Sequence, residues 1–113
     1  KIHTDAIKEN LIPHIVSKSQ QTFTYASEAD ILNVAMFGIT AKEWKEQHPD
    51  AKGNIRDSAT IQQLIVLSNM ESMNAELIKQ GITQDQRLAI LNKMAIDQMT
   101  SILSSATTKK LQQ

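Results

Sequence analysis

The stretch Tyr25–Thr60, YASEADILNVAMFGITAKEWKEQHPDAKGNIRDSAT, decides the fold class. Ser27 stands where an N-cap belongs, and Glu28 and Asp30 follow it with the charge sign that a helix N-terminus favours. Ile31, Leu32, Val34, Ala35, Met36 and Phe37 make the next two turns apolar nearly all round, which predicts a helix at the centre of the fold. Gly38 suits the left-handed position that ends such a helix. Thr40 with Glu43 three residues on forms a capping box, Trp44 lies on the next turn, Pro49 stops this second helix, and Asp50 to Gly53 make a turn.

Working outward, a long helix is predicted from Asp57 or Ser58 to about Gln80, with Gly81 as its stop. Its apolar residues at helical spacing are Ile61, Leu64, Ile65, Leu67, Met70, Met73, Leu77 and Ile78. Thr83 with Gln86 opens a last helix through Leu88, Leu91, Ala95, Met99 and Ile102. So short a connection between two long helices implies an antiparallel hairpin. Towards the N-terminus, Thr4 caps a short helix that Pro13 closes after Ile12. Val16 to Thr24 shows no clear period and is expected to be a connection with at most a short extended piece. Ser104 to Gln113 is polar, has no stop signal and is expected to fray. The reading is therefore an all-α domain over residues 1–103 with a frayed polar tail at 104–113. It has about five helices, three short ones followed by a long antiparallel pair. The expected core is Ile31, Leu32, Ala35, Trp44, Ile61, Leu64, Ile65, Leu88, Leu91 and Ala95.

Composition sets the bounds on function. A chain of 113 residues that is 41% hydrophobic suits one modest core. Lys plus Arg and Asp plus Glu both number 12, so no net field draws the protein to a polyanion, and a dedicated nucleic-acid binder of this size would be basic. With no Cys there is neither a disulfide framework nor a thiolate site, in keeping with a reducing cytosol. No apolar run approaches the ~18 residues of a membrane span, and the start lacks the features of a signal peptide. A soluble, cytoplasmic protein with no membrane partner is expected. The chain opens at Lys1 without Met, inside what reads as a helix start, as a piece cut from something longer would.

The inventory of reactive groups is sparse. His3, His14 and His48 are not paired at the i, i+4 spacing of a helical metal site. Glu71 and Glu76 lie five apart, on different faces of one helix. No GxGxxG, Walker loop or GxSxG occurs. We expect no catalytic residue, no metal and no cofactor, hence no enzyme. The most site-like segment is Lys52, Gly53, Asn54, Ile55, Arg56, Asp57, which sets two cations before a helix N-terminus. Lys52, Asn54 and Arg56 could hold an anion or a partner there, with Trp44 as one wall. The alternative is a plain turn, with Arg56 bonded to Asp57 or Asp50 and Trp44 packed as filler between the small helix and the long hairpin. Met70, Met73, Met94 and Met99 lie on the two long helices, either as core or as an adaptable oligomer face.

Three segments resemble a known family: IHTDAIKENLIP at Ile2–Pro13, YASEADILNVAMFGITAKEW at Tyr25–Trp44 and GNIRDSATIQQLIVLSNMESMNAE at Gly53–Glu76. Together they look like the region that follows the KilA-N domain in bacterial and prophage KilA-N proteins, with weaker similarity to RhuM-type proteins of mobile elements. The resemblance covers Ile2 to about Leu103. It implies a phage-related protein whose DNA-binding KilA-N domain lies outside this chain, and in this family the role of the region present here is open. Two functions are then expected in competition. One is a domain that self-associates or recruits a protein partner; the other is a small-ligand or anion sensor at the 52–57 loop.

Overall fold

In the computed structural model the backbone is described for residues 11–111 and the side chains for residues 11–105. The predicted helix that starts at Thr4 falls, up to Asn10, outside the described residues. Among the described residues the structure is all-α, without strands. Three short helices, α1 (Lys18–Thr22), α2 (Glu28–Phe37) and α3 (Ala41–Gln47), precede a 3₁₀ turn at Ile55–Ser58 and two long helices, α4 (Ile61–Lys79) and α5 (Gln84–Leu111). The long helices pack against each other as the antiparallel pair that their short connection requires, and α5 also carries α2 along its length.

The caps of the deciding stretch form as expected. The Ser27 hydroxyl accepts the Asp30 amide at 3.2 Å, and Thr40 and Glu43 exchange bonds at 3.1 and 2.8 Å. Gly38 ends α2 at φ +81°, a conformation that a Cβ makes costly. Residues 31–36 of α2 are all buried, as a helix apolar all round must be.

Three features differ from the sequence reading: α1 is a helix where a connection was expected, α4 starts later and α5 runs further, and the first two turn on a polar motif. Within the expected connection Val16–Thr24, Ser17 and Gln20 form a reciprocal capping box at 3.0 and 2.9 Å that starts α1. The long helix begins at Ile61 rather than at Asp57 or Ser58, because Thr60 and Gln63 make another such box at 3.1 and 2.8 Å. At the other end, helical backbone continues through the expected fray at Ser104 to Leu111. Nothing in that stretch breaks a helix, and propagation needs no new nucleus.

The main core joins Ile31, Leu32, Val34, Ala35 and Met36 of α2 to Val66, Leu67, Met70 and Leu77 of α4 and Leu88, Leu91, Ala95 and Met99 of α5. The largest correction concerns α4. Ile61, Leu64 and Ile65, expected in the core, are 73%, 39% and 51% exposed. The buried arc is instead Gln63, Val66, Leu67, Met70, Asn74 and Leu77. Both arcs have helical spacing, and the one carrying two amides faces inward because each amide finds a partner there.

Candidate functional site

Within the 52–57 loop the structure joins the polar groups to one another. Asn54 Oδ1 accepts the Arg56 amide at 2.9 Å, while the Asn54 amide donates to Asp57 Oδ2 at 2.8 Å. This is the N-terminal box of the 3₁₀ turn, so the Asp57 carboxylate occupies the place that an external anion would take. Gly53, at φ +86°, lies so close that a Cβ on it would stand 2.2 Å from Asp57 Oδ2. Arg56 is bonded neither to Asp57 nor to Asp50; it reaches across to α4 and pairs with Glu71 at 3.2 Å. Lys52 is exposed.

Trp44 cannot serve as a wall of such a site, because it is 3% exposed. It forms a second small core with Ile55, against which Phe37, Ile39, Ala41 and Ala51 pack. Its ring stacks on His48 with centroids 4.7 Å apart, and His48 Nδ1 lies 2.9 Å from the Trp44 carbonyl. Trp44 is therefore packing filler, but it closes α3 onto the 3₁₀ turn rather than onto the hairpin. Lys52, Asn54, Arg56 and Trp44 do not converge on a common ligand position.

The four methionines also separate. Met70 and Met99 are completely buried and belong to the core, Met94 packs against it partly exposed, and Met73 is 40% exposed. A surface made of all four is excluded by the inward orientation of the first two.

What the sequence reading missed is a buried polar junction. Arg87, on the first turn of α5, donates from Nε to the Ile82 carbonyl at 3.0 Å and from Nη1 to Asn74 Oδ1 at 3.0 Å. It forms a bidentate pair with Glu28, its Nη2 lying 3.2 Å from Oε2. Asn74 Nδ2 completes the ring by donating to Glu28 Oε1 at 2.9 Å. The guanidinium holds the Glu28 carboxyl below the usual carboxylate range; partial burial pushes the other way, and Asn74 adds to the lowering. With Glu28 at the start of α2, Asn74 on α4 and Arg87 on α5, the junction fixes three helices at one end of the molecule. Sequence gave no cue to it, since 59 residues separate the charged partners. A second junction is Asn92, which donates to the His14 and Ala35 carbonyls at 2.9 and 3.0 Å and accepts the Val16 amide at 3.0 Å. It ties the N-terminal segment and the end of α2 to α5.

Among the described residues no group of three His, Asp or Glu side chains is placed to hold a metal ion. A cleft of about 520 Å³ lies between α1 and α3, with Tyr25 in its wall and Asp30 and Glu43 at its rim. Burial first, and then these two carboxylates, raise the Tyr25 phenol above its ordinary pKa, so it stays a neutral donor to the Gln20 carbonyl at 2.7 Å. Glu43 is engaged by the Thr40 amide, and Lys42 and Glu46 also line the cleft.

The surface that stands out lies on the hairpin. There Ile61, Ile65, Asn69 and Met73 form an i, i+4 ridge on α4, and Ile90, Met94, Gln98 and Ile102 form one on α5. Asn69 Nδ2 donates to Gln98 Oε1 at 2.9 Å, which fixes the register of the two ridges. Ile90 is 42% exposed, and neither ridge includes a charged side chain.

Comparison of the chain with protein-family models, with curated proteins and with solved structures finds no match. No helix among the described residues is long and apolar enough to cross a membrane.

Proposed function

We propose that this chain is a non-enzymatic protein-interaction domain. In this reading it is the accessory region of a cytoplasmic, phage-related KilA-N protein whose DNA-binding domain lies outside the chain. The observation that carries the reading is the uncharged face of the hairpin. Ile61, Ile65, Met73 and Ile90 leave a large part of their surface in water on the two longest helices, where the fold makes no use of it. Exposed apolar residues that share a helix face mark a contact site more often than scattered single residues do. The balance of 12 basic and 12 acidic residues supports the placing of DNA affinity elsewhere. The sensor alternative is the weaker one, because the Asn54 backbone amide is bound to Asp57 and the Arg56 guanidinium to Glu71, which leaves Lys52 as the exposed cation of the 52–57 loop.

Two measurements on the intact chain test the reading. Ile90→Lys should fold and melt as the parent does, because the face serves contact and not the monomer; a collapse of the melting transition would make the face structural and overturn the proposal. Fluorescence anisotropy with a duplex at low salt should show no binding. Salt-sensitive binding would place DNA recognition in this chain and overturn the assignment to an accessory region.

A further inference from the structure

The cleft between α1 and α3 combines apolar depth with a negative rim. Its buried lining residues are Tyr25 and Val34, and Phe23 stands beside Tyr25 in an edge arrangement with ring centroids 4.9 Å apart. Phe23 is nevertheless 61% exposed, so the fold leaves that ring largely in water. Three carboxylates line the same cleft from two helices, Asp30 on α2 and Glu43 and Glu46 on α3, against one ammonium, that of Lys42. Among the described residues none of these four charged groups forms a salt bridge. Glu43 accepts the Thr40 amide on Oε1, which leaves its second oxygen to the cleft. Glu43 and Asp30 both act on the Tyr25 phenol, so carboxylates from different helices converge on one place. A volume of about 520 Å³ is within the range of sites that hold a ligand.

We propose that this cleft docks an arginine-bearing segment of a partner protein, its guanidinium held between the carboxylates and the Phe23 ring. The excess of carboxylates over ammonium selects a cation by charge complementarity. A planar guanidinium pairs with carboxylates through a fork of donors and stacks on an aromatic ring, which a lysine ammonium does less well. The aliphatic stem of the arginine covers the apolar lining while its head stays at the wet rim. A peptide is the occupant rather than a free cation, because a single ion pair at an exposed rim contributes little and affinity needs several contacts made together. The lining supplies them, since it runs from Ser19 on α1 to Glu46 on α3. Nucleic acid is disfavoured, because its phosphates carry the same sign as the rim. The cleft shares no residue with the exposed hairpin face, so this contact is a second one and does not rest on that reading.

The test is fluorescence anisotropy of a fluorescein-labelled glycine–serine peptide with two central arginines, titrated with the full chain at low salt, each variant also being melted. Wild type should bind with a dissociation constant on the order of 100 μM that rises with salt, and no binding at about 1 mM overturns the proposal. Lysine or leucine in place of the arginines should weaken binding by about threefold or more. A leucine peptide bound as tightly makes the cleft a plain apolar groove, an equal lysine peptide removes the selection for arginine, and either overturns the assignment. Free arginine that displaces the probe as well as unlabelled peptide does would make this a small-cation site and overturn peptide docking. Asp30→Asn with Glu46→Gln should weaken binding about fivefold, and melting should hold because both changes keep side-chain shape and break no salt bridge. Phe23→Leu keeps an apolar side chain, removes the ring and should cost about threefold. Unchanged affinity in either variant overturns the proposal. Ile90→Ser on the hairpin should bind as wild type does; lost binding there would move the peptide to the hairpin face, which sinks the cleft and leaves the interaction reading standing.

Discussion

Replacing Arg87 by methionine should be among the most damaging single changes at a polar residue. The methionine keeps most of the aliphatic stem, so the loss is that of the guanidinium. Asn74 Oδ1, on a residue that is 4% exposed, loses its donor, which costs about 1–3 kcal/mol. The Ile82 carbonyl in the loop between the long helices loses the Nε donor, at about 1 kcal/mol. The Glu28 arm contributes less, about 0.5–1 kcal/mol, because that side chain is 47% exposed and can turn to water. The expected total is about 3 kcal/mol, which for a chain of this size lowers the melting temperature by roughly 10–20 °C. Urea unfolding followed by far-UV circular dichroism at neutral pH measures it. A pH series adds a second readout. The Glu28 carboxyl is depressed in the folded state, so its contribution is present above the ordinary glutamate pKa and lost as pH falls through the folded value. Arg87→Met removes the cause of the depression, and the acid limb of the stability profile should shrink with it. An Arg87→Met variant within about 0.5 kcal/mol of wild type, with an unchanged acid limb, would refute the assignment of this junction as the clamp on three helices.

The remaining predictions concern local chemistry and the corrected core. Gly53→Ala should cost more than Gly38→Ala. Both positions have positive φ, at about 1 kcal/mol of strain, but at Gly53 the new Cβ also drives Asp57 off the Asn54 amide and loses a cap worth about 1 kcal/mol more; equal melting temperatures would contradict this. Leu91→Ala should lose about 2–5 kcal/mol in urea unfolding, because Leu91 has no exposed surface, whereas Ile65→Ala should lose under ~1 kcal/mol of monomer stability; the reverse order would restore Ile65 to the core. Trp44, the only Trp, should emit as a buried indole and resist acrylamide quenching until the chain unfolds, and a strongly quenched native signal would deny the Trp44–Ile55 cluster.

How much was legible in the chain depends on the range of the interaction that decides each feature. The start, stop and burial of α2 were readable, because Ser27, Gly38 and an unbroken apolar run act over a few residues. The caps that set α1 and the true start of α4 are also in the chain, as Ser17 with Gln20 and Thr60 with Gln63, but Ser17 precedes a stretch without apolar period and Thr60 follows two other cap candidates, Asp57 and Ser58. The 52–57 loop had the composition of an anion site. Only the structure showed Asp57 turned back onto Asn54 and Arg56 carried away to Glu71, fifteen residues on.

The sequence by itself determined the helical class, the order of the helices from α2 onward, the antiparallel hairpin and the central place of α2, since periodicity, caps and a short connection are local properties. Tertiary structure alone decided which way α4 faces. Its apolar residues form two arcs, Ile61, Leu64 and Ile65 at its start and Val66, Leu67, Met70 and Leu77 along its length, and helical spacing alone does not choose between them. The second arc is buried because Gln63 closes the helix cap and Asn74 meets Arg87 and Glu28, so its amides enter the interior already hydrogen-bonded. That choice leaves Ile61 and Ile65 outside and creates the surface on which the proposed function rests.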